Sequence, residues 1–346
     1  MNKAITTPKT VVKNIDIRAS FSAASTFPAK LLVHEKLIKT AKVEKKILPL
    51  HVQLNPTNRC NFNCSFCSCS ARDRSLEISL KRTMDIMNMF KKLGAESVTI
   101  TGGGEPLMHR HINRMILGIR AEDLEVGLVT NGVLLHKLSD KALREITWIR
   151  ISSADTEEYL KYSILNRRYL DALTDTVHRG KNIDWAFSHV LTRSPKLDII
   201  EGIVNFANKH NFTHVRLVSD LLDLNSVEDM KKIRERLAKR KINDSRVIYQ
   251  GRKDFAKGAK KCYLSLLKPV VGADGLLYPC CGTQYALANP SRDYEKKMRI
   301  GKAEDFPEIF GKQKYFDGSI CEKCYYSDYN YALGIMLSDI KHQKFV

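Results

Sequence analysis

From residue 48 onward the hydrophobic period of the chain switches back and forth. Short β-rich runs at 51–54, 97–101, 126–130, 148–152, 185–191 and 214–218 alternate with stretches whose apolar residues recur at helical spacing. Ile86, Met89, Phe90 and Leu93 form one helical face, closed by Gly94 as a C-terminal cap. Ile112, Met115, Ile116 and Ile119 form a second. Ser139 caps a third, short helix, and Ile200, Ile203, Val204 and Ala207 line a later one. Strands joined through helices pair in parallel, because each right-handed crossover needs that helix to return the chain. The expected fold class is therefore α/β, a partial (β/α)6 TIM-like barrel. Six units instead of eight leave it open, with its chemistry at the carboxyl ends of the strands.

The 346 residues are 43% hydrophobic and 27% charged, enough for a sizeable core. That balance excludes a collagen, a disulfide mini-protein, an integral membrane protein and a disordered chain. Nine cysteines are too sparse for a disulfide scaffold, and residues 1–46 are basic and Ser/Thr-rich without an apolar signal core. A reducing, cytoplasmic setting is the expectation, with no membrane association, and spaced thiols there more often hold metal than pair. The net charge of +19 favours anionic partners and says nothing of fold. Four regions are expected: a basic N-terminal arm over 1–46 ending in a helix at 29–43, the barrel over 47–222, a bridge over 223–256, and a unit over 257–346 rich in Cys, Gly, Tyr and Pro. The bridge holds a polar helix over 225–241, started by Ser226 and Asp229.

Directly after the first strand stand Cys60, Cys64 and Cys67, followed by Cys69. Three thiolates in one short loop can converge on a metal centre and leave one coordination position open. Structural zinc usually takes four ligands, and no His lies in this loop, so an iron–sulfur cluster with one non-protein ligand fits better. A zinc loop completed from afar is the plainer alternative. The spacing, with Phe66 before the last thiol, resembles the CxxxCx(aromatic)C signature of the radical S-adenosylmethionine (SAM) superfamily. The resemblance implies a 4Fe–4S cluster on Cys60, Cys64 and Cys67 that binds SAM. Its one-electron reduction by an external flavodoxin- or ferredoxin-type reductant cleaves SAM to a 5′-deoxyadenosyl radical, which abstracts a hydrogen atom from substrate. Thr101 to Pro106 resembles the family's GGE(P) motif, which implies SAM contacts at Gly103, Gly104 and Glu105. Thr130-Asn131-Gly132 resembles its strand-end TNG, implying Asn131. Ser152 closes the fourth strand, where a polar side chain commonly meets SAM. Ser153-Ala154 departs there from the frequent apolar–Asp pair. His189 and Arg216 would reach substrate or the SAM carboxylate only if they face inward.

The other thiols are Cys262, Cys280, Cys281, Cys321 and Cys324. Residues 264–271 and 276–278 read as a β-hairpin across a Gly-rich turn, bringing Cys262 and Cys280 together. The CxxC at Cys321 and Cys324 can complete a closed four-thiolate site for zinc or a fully ligated cluster. This spacing after a radical SAM barrel resembles the twitch domain, a shorter relative of the SPASM extension. The resemblance implies one auxiliary 4Fe–4S cluster on Cys262, Cys280, Cys321 and Cys324, two clusters in all. Cys69 and Cys281 are spare. Either is a candidate hydrogen-atom donor, against the plainer reading of a small buried hydrophobe.

The implied function is a radical SAM oxidoreductase- or isomerase-type enzyme performing oxidation, cross-linking, epimerisation or rearrangement. Its substrate would be a small molecule, a nucleotide or a peptide. Forty-six residues are too few for the leader-binding winged helix of many peptide-modifying relatives. The basic surface keeps modification of a nucleic acid open. From another class, the chain would be a metal-stabilised nucleic-acid-binding module, with zinc at both thiol sets. Arg59, Lys261, Lys268 and Lys323 near the thiols are expected to offset the negative charge of thiolate-bound clusters.

Overall fold

A computed structural model describes residues 28–192, 195–220, 222–223, 230–242, 245–251, 255–283, 286–287, 294–342 and 344–345. Most of the arm over 1–46, and with it Ser226 and Asp229, lies outside the described residues.

Among the described residues, ten strands form one sheet. β1 (His51–Leu54), β2 (Ser97–Ile100), β3 (Glu125–Thr130), β4 (Trp148–Ala154), β5 (Asp184–Leu191), β6 (His214–Ser219) and β7 (Val247–Gln250) are parallel and adjacent in chain order. All six expected strands are present. The α/β partial barrel therefore stands, with the addition of β7, which comes from the segment read only as a bridge. Its four residues are too short for periodicity to separate a strand from an irregular link. β8 (Val270–Val271) pairs parallel to the other side of β1. β9 (Leu276–Tyr278) and β10 (Gly301–Lys302) follow antiparallel, so the C-terminal unit continues the barrel sheet.

Two local expectations need correction. The helix at 29–43 is two helices, Ala29–Leu32 and Glu35–Val43. His34 starts the second by accepting from the Leu37 N–H at 3.3 Å. The first arm of the hairpin begins as a helical turn, Leu264–Leu267, and only Val270 and Val271 pair with Tyr278 and Leu277. Leu264, Leu266 and Leu267 are all buried, and a continuous apolar run carries no period that tells strand from helix.

Helices cover the outer face of the sheet. In Leu80–Lys92, begun by Ser79 accepting from the Arg82 N–H, Ile86, Met87 and Phe90 are buried. Phe90 meets Phe306 at 4.6 Å between centroids, and Arg82 donates to the carbonyls of Asp274 and Gly275 and to Glu304. One barrel helix thus clamps the C-terminal turn.

Candidate functional site

Strand pleating decides what the barrel encloses, since alternate residues face opposite sides. On β4, Ile149 and Ile151 are buried against helices, while Trp148, Arg150 and Ser152 face inward. Register places Arg150 beside Ala186 and Ser188 beside Arg216 on this inner face. Arg216 donates to Ser188 Oγ at 3.0 and 3.3 Å. His189 lies on the opposite, helix-facing side, fully buried, with Nδ1 3.2 Å from Ser153 Oγ.

Cys60, Cys64 and Cys67 follow β1 in one loop, and buried Arg72 braces it. Arg72 Nε donates to the Asn58 carbonyl at 2.8 Å, and Nη1 donates to the Cys69 carbonyl and to Cys67 Sγ at 3.5 Å. Sequence reasoning missed Arg72; a basic residue five positions past the last loop thiol was the signal. Arg59, expected to offset charge near the thiols, instead donates to Glu77. Burial pushes the Cys60 thiol up and that of Cys64 up to about 12. Cys67 is held down at about 6, first by its hydrogen bond with Cys69 and further by Arg72. Cys69 is buried, 3.9 Å from the Gly102 carbonyl.

The glycine turn after β2 packs against this loop. The Gly104 N–H donates to the Thr57 carbonyl at 3.0 Å and the Glu105 N–H to that of Arg59 at 2.8 Å. A Cβ on Gly103 would stand 2.0 Å from Asn58 Oδ1, and one on Gly104 2.0 Å from the Arg59 carbonyl oxygen. Gly104 is needed for the close approach of two backbones, and Gly103 leaves room for the Asn58 side chain. The expected role was approach to a ligand; the contact seen is with the cysteine loop itself. Glu105 is likewise engaged within the protein. Its buried carboxylate accepts from Thr130 Oγ1 and the Asn131 N–H, both at 2.7 Å, and from the Leu107 N–H at 3.1 Å. Burial raises its pKa against the pull of those donors. Asn131 Nδ2 donates to Asn61 Oδ1 at 2.7 Å. Three strand ends are thereby tied to the thiol loop. Phe66, Phe62 and Tyr159 pack over it, with centroids 4.8 Å apart for Phe62 and Tyr159 and 6.1 Å for Phe66 and Tyr159.

The second set of thiols comes from three separated segments. Cys262, Cys280, Cys321 and Cys324 line one small pocket. Backbone pairs hold it: the Cys262 N–H donates to Phe316, the Gly258 N–H to Cys321, and the Cys324 N–H to Ala256. Buried Asn330 accepts from the Leu264 N–H and turns its Nδ2 to Cys262 Sγ at 3.9 Å. Burial raises all four thiols, Cys262 to about 11 and Cys321 to about 12, and neighbouring thiols add to the rise at Cys262, Cys280 and Cys321. The neighbouring Cys281 diverges, its Sγ 3.0 Å from Tyr326 Oη. A second, partly open cleft runs from Gly103 and Asn58 to Tyr278 and Cys280 and links the two regions.

Among the described residues, no three Cys, His, Asp or Glu side chains stand close enough to hold a single metal ion. A four-iron cube takes each thiolate on a different iron, so its ligands need not crowd one point. Two sets of soft sulfur donors have the donor chemistry for such cubes: burial keeps six of the seven protonated until iron replaces the protons, and Cys67 is already held toward thiolate.

Residues 54–181 match the Radical SAM superfamily. A probable GTP 3′,8-cyclase of Archaeoglobus fulgidus is 35% identical over 114 residues, which cover 32% of this chain and 38% of that protein. The GTP 3′,8-cyclase of Staphylococcus aureus is 30% identical over 166 residues, covering 44% and 46%. The chain thus spans less than half the length of these two curated relatives. The structure of Streptococcus suis SuiB bound to its precursor peptide SuiA superposes on 89% of this chain and 72% of that one, with a TM-score of 0.55 at 15% identity. That likeness shows the fold. Residues 54–181 are therefore a Radical SAM superfamily domain. Among the described residues no helix is long and apolar enough to cross a membrane.

Proposed function

We propose that this chain is a radical SAM enzyme whose barrel holds SAM at a 4Fe–4S cluster on Cys60, Cys64 and Cys67. An auxiliary cluster sits on Cys262, Cys280, Cys321 and Cys324. The observation that carries this reading is the pairing of a three-thiol loop at the barrel mouth with a closed four-thiol cavity, joined by one cleft. When bound and reduced, the first cluster supplies the electron that cleaves SAM to a 5′-deoxyadenosyl radical, with a ferredoxin- or flavodoxin-type protein as reductant.

The protein's own residues position and exclude. Arg72 fixes the orientation of Cys67, and its guanidinium favours the thiolate there. Glu105 locks the ends of β2 and β3 together, so the Gly103 and Asn131 backbones form a rigid rim for SAM. Ser152 looks inward from β4 toward the same space. Phe62, Phe66 and Tyr159 screen the loop from water. Asn330 orders the auxiliary cavity through Cys262.

The substrate is a small molecule, with a nucleotide as the first choice. Support comes from the GTP-acting relatives and the inward-facing arginines, while SuiB's precursor peptide supports a peptide as the second. Anaerobic reconstitution followed by iron, sulfide and zinc analysis tests the reading: about eight irons per chain are expected. Dithionite and SAM should then yield 5′-deoxyadenosine, with none from Cys64→Ala. Zinc without iron would instead identify a metal-stabilised binding module.

A further inference from the structure

We propose that Arg150, Arg216 and Lys268 form a receptor for an oxyanion of the substrate, on the inner face of the barrel beside the Cys281–Tyr326 pair. The inference rests on the reading of the barrel as the radical SAM site and names the class of substrate it takes.

Three observations converge. Register and pleat put Arg150 and Arg216 on the same face, two strands apart. Lys268, just before β8, reaches the same place from the C-terminal unit: its Nζ lies 5.9 Å from the centre of the Tyr326 ring, whose hydroxyl is 3.0 Å from Cys281 Sγ. Arg150 Nε is buried and has no hydrogen-bond partner among the described residues. A buried guanidinium donor without an acceptor is costly, and a ligand oxygen would satisfy it.

None of the groups acting most strongly on Arg150 or Lys268 is a carboxylate. The groups acting most strongly on Arg150 are Arg216, Tyr325, Cys281 and Tyr326. For Lys268 they are Cys281, Arg150, Cys280 and Lys30. Burial and these like charges hold Arg150 down to about 9 and Lys268 below its ordinary value. The same cations help keep two histidines neutral. Burial lowers His51 and His214, and then Lys268 acts on the first and Arg150 and Arg216 on the second. Cations gathered this way repel one another until an anion joins them, and guanidinium donors match phosphate and carboxylate oxygens in pairs.

Charge balance for the auxiliary cluster is the competing explanation. Geometry weighs against it. Cys280, Tyr325 and Tyr326 wall the cluster cavity and also act on these cations, but none of Arg150, Arg216 and Lys268 lines it.

The test is calorimetry on the anaerobically reconstituted holoprotein, with inorganic pyrophosphate and citrate as probes. Saturable binding of pyrophosphate alone assigns a phosphate-bearing substrate, and of citrate alone a carboxylate-bearing one. Arg150→Gln and Lys268→Gln should each weaken the bound probe by about tenfold or more, with Arg150→Lys recovering part of the loss and exposed Lys141→Gln changing nothing. Iron content and SAM affinity are measured on the same samples. Absence of saturable binding by either probe overturns the proposal. So does iron loss in the variants with anion affinity intact, which would assign the cations to the cluster. SAM cleavage is read separately, so failure of the radical reading leaves a different signature from failure of the anion receptor.

Discussion

The two thiol sets reach similar chemistry by opposite routes. Cys60, Cys64 and Cys67 are neighbours in the chain, and a loop of local hydrogen bonds shapes them. Cys262, Cys280, Cys321 and Cys324 are brought together by a hairpin, a helical turn and backbone pairs between distant segments. The first set sits on the rim of a finished sheet; the second is part of the packing of its unit, with Cys262 buried and its neighbour Asn330 in the core. Loss of metal should therefore stop chemistry in one region and loosen the structure in the other.

Paired thiol deletions break or confirm that contrast most strongly. Cys64→Ala should lower iron by half and bring 5′-deoxyadenosine to the enzyme-free background, while the melting temperature stays nearly unchanged. Cys262→Ala should also halve the iron yet retain SAM cleavage without substrate, and should lower the melting temperature by about 5 °C or more, because metal binding there is also folding energy. Equal thermal losses in the two variants would erase the distinction.

A second pair moves out to the supports. Arg72→Met removes the donors to Asn58, Cys67 and Cys69, and Asn330→Leu removes the one to Cys262. Each should weaken iron retention at its own set by about 10-fold or more, read as the rate of iron release to a chelator, and leave the other set alone. Release from both sets in either variant would mean the regions are coupled. Glu105→Gln is a smaller perturbation. It loses a charged acceptor of three donors, for a cost of about 1–3 kcal/mol in urea unfolding, and should weaken SAM binding more than anion binding.

This contrast also explains what was legible in the sequence. The six strands and the three-thiol loop were readable because each is a local pattern: a period, a spacing, a glycine turn at a strand end. The auxiliary set was readable only as four candidates, since nothing in spacing alone says that Cys280 turns to the cavity while Cys281 turns to Tyr326. β7 was too short to show a period. Glu105 illustrates a subtler loss. Its place in the motif was plain, but its three donors come from two different segments, so its carboxylate reads as a ligand contact in sequence and as a brace in the structure. Arg150 went unread in the sequence, because its company of Arg216, Lys268 and Tyr326 depends on register and on a distant segment.

The smallest expected effect separates the two faces of the sheet by pH. Inward-facing His214 is held down to about 3 by burial and by Arg150 and Arg216, and helix-facing His189 to about 4 by burial. Both are neutral in the folded chain at pH 5, whereas in the unfolded chain they protonate below about 6.5. The unfolded state therefore binds the extra protons, and the stability due to neutral histidine is full above about 6.5 and is lost as pH falls toward the folded values. Between pH 7 and pH 5 each histidine should account for a loss of roughly 2 kcal/mol or less in urea unfolding. His214→Gln and His189→Gln should each flatten the decline by a similar amount. Of these two variants only His214→Gln should alter how anion binding depends on pH, because His214 faces Arg150 and Arg216 and His189 does not. An equal effect of His189→Gln on anion binding would show that the inner face does not act as a separate compartment.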